Sequence, residues 1–191
     1  MLQNVVIGAS GLFLLATPAF AHVVVTPSQV GVAKELVFSV SVPNEKDAAV
    51  TALRLVVPKG VSDVSPTVKT GWTTTTKKDA DQNVTEIDWS GGTIPAGERD
   101  DFSFGAQAPA SPAVLNWKAY QTYADGTVVA WDATPDASKA DDDSLTPYST
   151  TQVVDDLSSP AAPTSDQRPW VLAGAAIALA ALSFLMSLRR R

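Results

Sequence analysis

Cysteine is absent from the 191 residues, histidine occurs once, and the two methionines stand at Met1 and Met186, inside the two hydrophobic terminal segments. These absences exclude a disulfide framework, a thiolate nucleophile, a zinc knuckle and a blue-copper thiolate. Because His22 is the lone imidazole, a Ser-His-Asp triad could be assembled nowhere else, and no enzyme of the hydrolase type is expected. Positive charge is also scarce: 14 Lys+Arg stand against 20 Asp+Glu, for a net charge of -6. Three of the cations are the terminal Arg189, Arg190 and Arg191, so the chain has no basic footprint for a nucleic-acid partner. A phosphate-cradling loop is missing too, since "SGGTIPAGE" reads as a strand-to-strand turn and does not open a helix.

What is present at the two ends reads as address rather than fold. Val5 to Leu15 form an apolar run too short to span a bilayer comfortably, although "MLQN" lacks the usual positive start. Ala19-Phe20-Ala21 then places small residues where a signal peptidase reads, so residues 1–21 are expected to be a signal peptide cut between Ala21 and His22. At the far end, Trp170 to Leu188 supply about 19 apolar or small residues, enough for one transmembrane helix, with the basic tail 189–191 on the cytoplasmic side. Everything between is then expected outside the cytoplasm, at a bacterial cell membrane. Residues 134–169, rich in Asp, Ser, Thr, Ala and Pro, cannot bury enough apolar surface to offset their ordering entropy and read as a disordered stalk. Its Asp141-Asp142-Asp143 triplet is read as a solvated charge run rather than a calcium site.

Residues 22–133 have a period of two. In "ELVFSVSVP", Leu36, Phe38, Val40 and Val42 alternate with Val37, Ser39 and Ser41, and "TALRLVVP" repeats the pattern with Leu53, Leu55 and Val57. Turn residues recur at Pro43-Asn44, Pro58 to Gly60, Gly91-Gly92, Pro95 to Gly97, Pro109 to Pro112 and Asp125-Gly126. Roughly eight strands over about 110 residues predict an all-β antiparallel sandwich. In "NWKAYQTYADGTVVAWDA", a two-residue turn at Asp125-Gly126 would set Ala124 opposite Thr127 and Tyr120 opposite Trp131, which spacing alone reads as ordinary core.

His22 is the one candidate for metal chemistry. Freed at position one, it would present its α-amine (pKa about 8) and its imidazole Nδ1 (about 6.5) to one ion in a small ring. Two such nitrogens, completed by carboxylate or water, suit tetragonal Cu(II) best, whereas Cu(I) prefers sulfur. By themselves these residues favour a histidine that falls by chance after a cleavage site.

The motifs "AHVVVTPS", "VPNEKD", "VVPKGV", "GW", "IDWSGG" and "AYQTYADGTVVAW" occur in order between Ala21 and Trp131. Together they resemble the YcnI-like copper-binding ectodomains of bacteria, a family with the same signal peptide, stalk and C-terminal anchor. The resemblance implies a cupredoxin-like or immunoglobulin-like β-sandwich that holds Cu(II) in a single-histidine brace. Its metal residues carry over as His22, Glu45 from the V-P-x-E motif, and Trp131. Glu45 would supply an oxygen ligand, although position alone favours it no more than Glu35, Asp47 or Glu98. Trp131 has no lone pair to give and would shield the ion or contact it through the ring face. Tyr120, placed opposite by the register above, would close the same wall.

The function these readings imply is membrane-anchored copper acquisition, handover or homeostasis, with a copper transporter or chaperone as a further partner. Two other classes remain on sequence grounds. One is a surface adhesion or structural module with no copper site; the other is a copper oxygenase, which is disfavoured because such sites generally use a second histidine.

Overall fold

A computed structural model describes residues 22–136 and 146–157. The expected signal peptide, the expected transmembrane helix with its basic tail, and the Asp141 to Asp143 triplet all lie outside the described residues. Eleven strands follow in order: β1 (Val24–Thr26), β2 (Gln29–Gly31), β3 (Glu35–Pro43), β4 (Val50–Val56), β5 (Ser62–Pro66) and β6 (Thr73–Lys78). They continue as β7 (Val84–Ile94), β8 (Arg99–Gln107), β9 (Ala113–Tyr123), β10 (Val128–Trp131) and β11 (Ser149–Val154).

Two sheets form. One has four strands in the order β1-β3-β8-β5; the other has seven, in the order β2-β11-β9-β4-β7-β6 with β10 paired to β9. The pairing is antiparallel, as the alternation predicts, except that β11 runs parallel to β2. Alternation also sets the faces. Phe38, Val40 and Val42 of β3, Leu53 and Leu55 of β4, and Phe102 and Phe104 of β8 all point inward and are buried. The two inner faces meet through aromatic rings. Phe38 lies 5.1 Å from Trp117 across the sandwich, and Trp89 lies 5.2 Å from Phe102. Such ring pairs contribute about 0.5–1.5 kcal/mol each beyond the area they bury.

Strand β11 lies within the stretch whose composition reads as stalk. It belongs to the sandwich: Thr151 and Val153 are buried. The Trp117 indole N–H donates to Thr151 Oγ1 at 3.0 Å, and the Thr151 hydroxyl donates to the Pro27 carbonyl at 2.8 Å. The domain therefore extends past Ala133 to Val154. The segment looks unfoldable by itself because its inward residues are one valine and a threonine whose hydroxyl is buried only against the Trp117 indole N–H.

The Asp125-Gly126 hairpin differs by one residue from the expected register. Its loop holds three residues, Ala124 to Gly126, with Gly126 N–H bonded to the Tyr123 carbonyl and Gly126 at φ +83°. A type I turn followed by a left-handed glycine has this form, and it sets Tyr120 opposite Ala130 and Trp131 opposite Ala119. Since strand faces alternate with a period of two, the slip sends Tyr120 outward and Trp131 inward. Gly91-Gly92 also differs from expectation: it is a bulge inside β7, opposite the shift between Val50 and Ala52, and the reversal comes at Pro95 to Gly97.

Candidate metal centre

The β1–β3 register begins with Val24 opposite Ser41. Continued by two residues, it brings His22 alongside Pro43, at the end of β3 that leads into Asn44 and Glu45. Strand β1 thus delivers its preceding residue to one end of the sandwich, and the same end receives the last residue of β10. There the His22 imidazole meets the Trp131 indole, with ring centroids 5.4 Å apart and planes at 82°. Trp131 is 8% exposed, so the ring that meets His22 is a buried one.

The turn that carries Glu45 is fixed by its neighbour. Asn44 is 2% exposed. Its Nδ2 donates to the Ala48 carbonyl at 3.0 Å and the Ile94 carbonyl at 2.9 Å, while its Oδ1 accepts from the Lys46 N–H at 3.0 Å. Such a side chain standing in for backbone partners makes the turn rigid. Glu45 itself is exposed. Tyr123 shares this end of the sandwich: burial, and after it the Glu45 charge, hold its hydroxyl above the usual tyrosine range. The Lys46 ammonium sits 4.5 Å from the centre of the Tyr123 ring.

His22 and Trp131 are thus in contact, and Glu45 sits on the turn that continues from the strand beside them. Tyr120 is not part of this wall. It lies on the outer face, where its hydroxyl is 3.1 Å from Asp132 Oδ2 and its ring carries the Arg54 guanidinium at 4.3 Å. Desolvation, followed by the bond to Asp132, raises its pKa. The side chains that do approach the site from β9 are Gln121 and Tyr123, both missed from sequence. The signal was available in the alternation of "LNWKAYQTY", which places Leu115, Trp117, Ala119, Gln121 and Tyr123 on one face.

Among the described residues no group of three or more His, Cys, Asp and Glu side chains converges. A metal at this end would therefore depend on one imidazole, one carboxylate and a backbone nitrogen. While residue 21 is attached, that nitrogen is a peptide amide, a poor donor; after scission it is an amine. Nitrogen and oxygen donors of that kind, with no sulfur, would suit a tetragonal divalent ion, whereas Cu(I) prefers sulfur.

The sequence model of the family described as DUF1775, a domain of unknown function, matches residues 22–151, which begins at His22 and includes part of β11. The chain is 32% identical over 144 residues to the copper-binding protein CutI of Bacillus subtilis (strain 168), covering 74% of this chain and 67% of that protein. Among solved structures, an uncharacterized protein from Nocardia farcinica with an immunoglobulin-like fold superposes with a TM-score of 0.59 at 21% identity, covering 70% of this chain and 98% of that one. The fold is accordingly an immunoglobulin-like sandwich. On the family match and the CutI identity together, the chain belongs to the DUF1775 family, the YcnI-like group that its ordered motifs resemble.

Proposed function

We propose that this protein binds Cu(II) at the His22 end of the sandwich once residues 1–21 have been removed. The α-amine and Nδ1 of His22 chelate the ion, a Glu45 oxygen adds a hard donor and neutralises charge, and Trp131 shields the site from one side. Copper is cargo here. The protein acquires, holds or hands it on outside the cytoplasm, tethered by the apolar segment from Trp170 to Leu188, and a copper transporter or chaperone is the natural recipient. A single imidazole and no sulfur favour storage and transfer of Cu(II) over redox catalysis. The name of the Bacillus subtilis relative supports copper as the ion.

The observation that carries this reading is the edge-on contact between His22 and Trp131, which puts the lone imidazole, half-buried, against an aromatic wall. The test is a copper titration of two soluble forms, one starting at His22 and one retaining Ala21. The first should bind one Cu(II) tightly, and the second should lose most of that affinity. Equal affinity would rule out the amine–imidazole chelate. Mass spectrometry of the native N-terminus checks the scission itself.

A further inference from the structure

We propose that Gln121 is the positioning residue of this copper end, its amide acting as a clamp between the Trp131 indole and the strand that leads to Glu45. The inference rests on the copper reading above for its functional meaning, while the clamp itself is a property of the metal-free protein.

Gln121 occupies an inward position of β9, in line with Trp117, Ala119 and Tyr123, and is 0% exposed. A polar amide in such a place is costly unless both of its ends are satisfied. Both ends are satisfied. Its Oε1 accepts the Trp131 indole N–H, and its Nε2 donates to the Pro43 carbonyl at 2.8 Å. An indole N–H can only donate and a carbonyl can only accept, so the two partners also fix which way the amide faces.

The two groups joined in this way are the two that the site needs held. Trp131 is the last residue of β10, a strand of four residues paired to β9 and bonded on its other edge to residues 146–148 at Ala130 and Ala133; this backbone pairing places its Cα but does not set the turn of the indole about its side-chain bonds. Pro43 is the last residue of β3, directly before Asn44 and Glu45. Through one side chain, the orientation of the ring against His22 is coupled to the position of the turn that carries the carboxylate. An apolar residue would fill the core more cheaply, yet it would leave the indole N–H and the Pro43 carbonyl without partners and the ring free to turn.

The test uses the soluble chain starting at His22, its Gln121→Met variant, its Trp131→Phe variant and the double variant, with thermal unfolding as the fold control. Three readouts apply: the indole N–H resonance of Trp131 in the metal-free state, the Cu(II) affinity by competition, and the Cu(II) EPR spectrum. Gln121→Met should shift the Trp131 resonance, weaken Cu(II) by about tenfold, as loss of an outer partner of a metal site typically does, and alter the EPR spectrum. Trp131→Phe, which deletes the N–H while keeping an aromatic ring, should weaken copper to a similar degree, and the double variant should lose little more. Unchanged affinity and EPR in Gln121→Met would overturn the proposal, as would fully additive losses in the double variant. If Gln121→Met does not fold, Trp131→Phe with native affinity and spectrum overturns it equally. A wild-type chain starting at His22 that takes up no Cu(II) would instead overturn the copper reading, and the Trp131 resonance would still report whether the clamp exists.

Discussion

The imidazole of His22 and the indole of Trp131 are joined edge to face, 5.4 Å between centroids, although 109 positions separate them in the chain. A Cu(II) ion held by that imidazole would lie close enough to the indole to quench its emission. Adding Cu(II) to the chain starting at His22 should therefore dim part of the tryptophan fluorescence. Trp89 and Trp117, buried in the core, should keep theirs. Replacing Trp131 by Phe should remove most of the copper-dependent quenching while leaving His22 able to bind. Quenching of equal size in Trp131→Phe would place the ion elsewhere.

Glu45 differs from the other acids of similar sequence standing in where its turn is anchored. Asn44 ties that turn to the Ile94 and Ala48 carbonyls, at the end of the strand beside His22. Glu45→Gln keeps the shape of the side chain and removes its charge. It should weaken Cu(II) by at least the roughly tenfold that loss of an outer partner costs. Glu35→Gln, Asp47→Asn and Glu98→Gln, which lack that placement, should each leave Cu(II) affinity within about twofold, a change of roughly 0.4 kcal/mol. Competition titrations of the four variants side by side make the comparison, and a loss shared by all four would point to general electrostatics instead of a ligand.

A chain ending at Ala133 should fail to fold stably, whereas one ending at Leu157 should unfold cooperatively. The reason is β11. Its removal leaves the Trp117 indole N–H without Thr151, strips the cover from Leu115, and deprives the Val25 N–H of its 2.9 Å bond to Ser149 Oγ. Circular dichroism and thermal melts of the two chains decide the matter. A native-like melt for the chain ending at Ala133 would mean that β11 is dispensable.

These same elements show what was readable from residue order. The alternating strands β3, β4 and β9 announce their faces because apolar and polar residues take turns, and the sandwich follows. Strand β11 does not announce itself, since Thr151 is inward only through a hydrogen bond to a residue 34 positions earlier. Hairpin register was likewise hidden in turn chemistry. "ADG" supports either a two-residue primed turn or a three-residue loop, and the choice moves every later side chain to the other face. The candidate site was legible at His22 and Trp131 as single residues; their contact, and the role of Gln121 between Trp131 and Pro43, depend on that register.

Gly92 carries a packing constraint that ordinary turn rules miss. A Cβ built there would lie 2.1 Å from the Trp72 ring, which itself packs edge-on against Phe102 at 4.9 Å. Gly92→Ala must therefore push the indole off Phe102 and should cost about 1–3 kcal/mol, as overpacking does. Gly126 is different: nothing lies near a Cβ there, and its φ of +83° is the constraint. Urea unfolding of Gly92→Ala, of Trp72→Ala and of the double variant tests the steric account. The second change should relieve the clash, so the two losses should be less than additive; strict additivity would contradict it.

Asp125 gives the hairpin an acid-sensitive element. The Thr127 backbone N–H at 2.9 Å and the Thr127 hydroxyl at 2.7 Å donate to its carboxylate, and these bonds hold its pKa below the ordinary aspartate value of about 3.9. A group with its folded pKa depressed contributes stability that is present above the unfolded pKa and lost as pH falls through the folded one. The hairpin should therefore be insensitive to pH from neutrality down to the ordinary aspartate range and loosen only below it. Thr127→Val removes the hydroxyl while keeping the backbone donor, so the Asp125 titration followed by NMR should move part of the way back toward the ordinary value. Because the carboxylate is exposed, the global melt should hardly change; the effect should be confined to amide exchange in residues 123–128. An Asp125 that titrates at the ordinary value in the parent chain, or no upward movement in Thr127→Val, would show that these bonds do not hold the turn in solution.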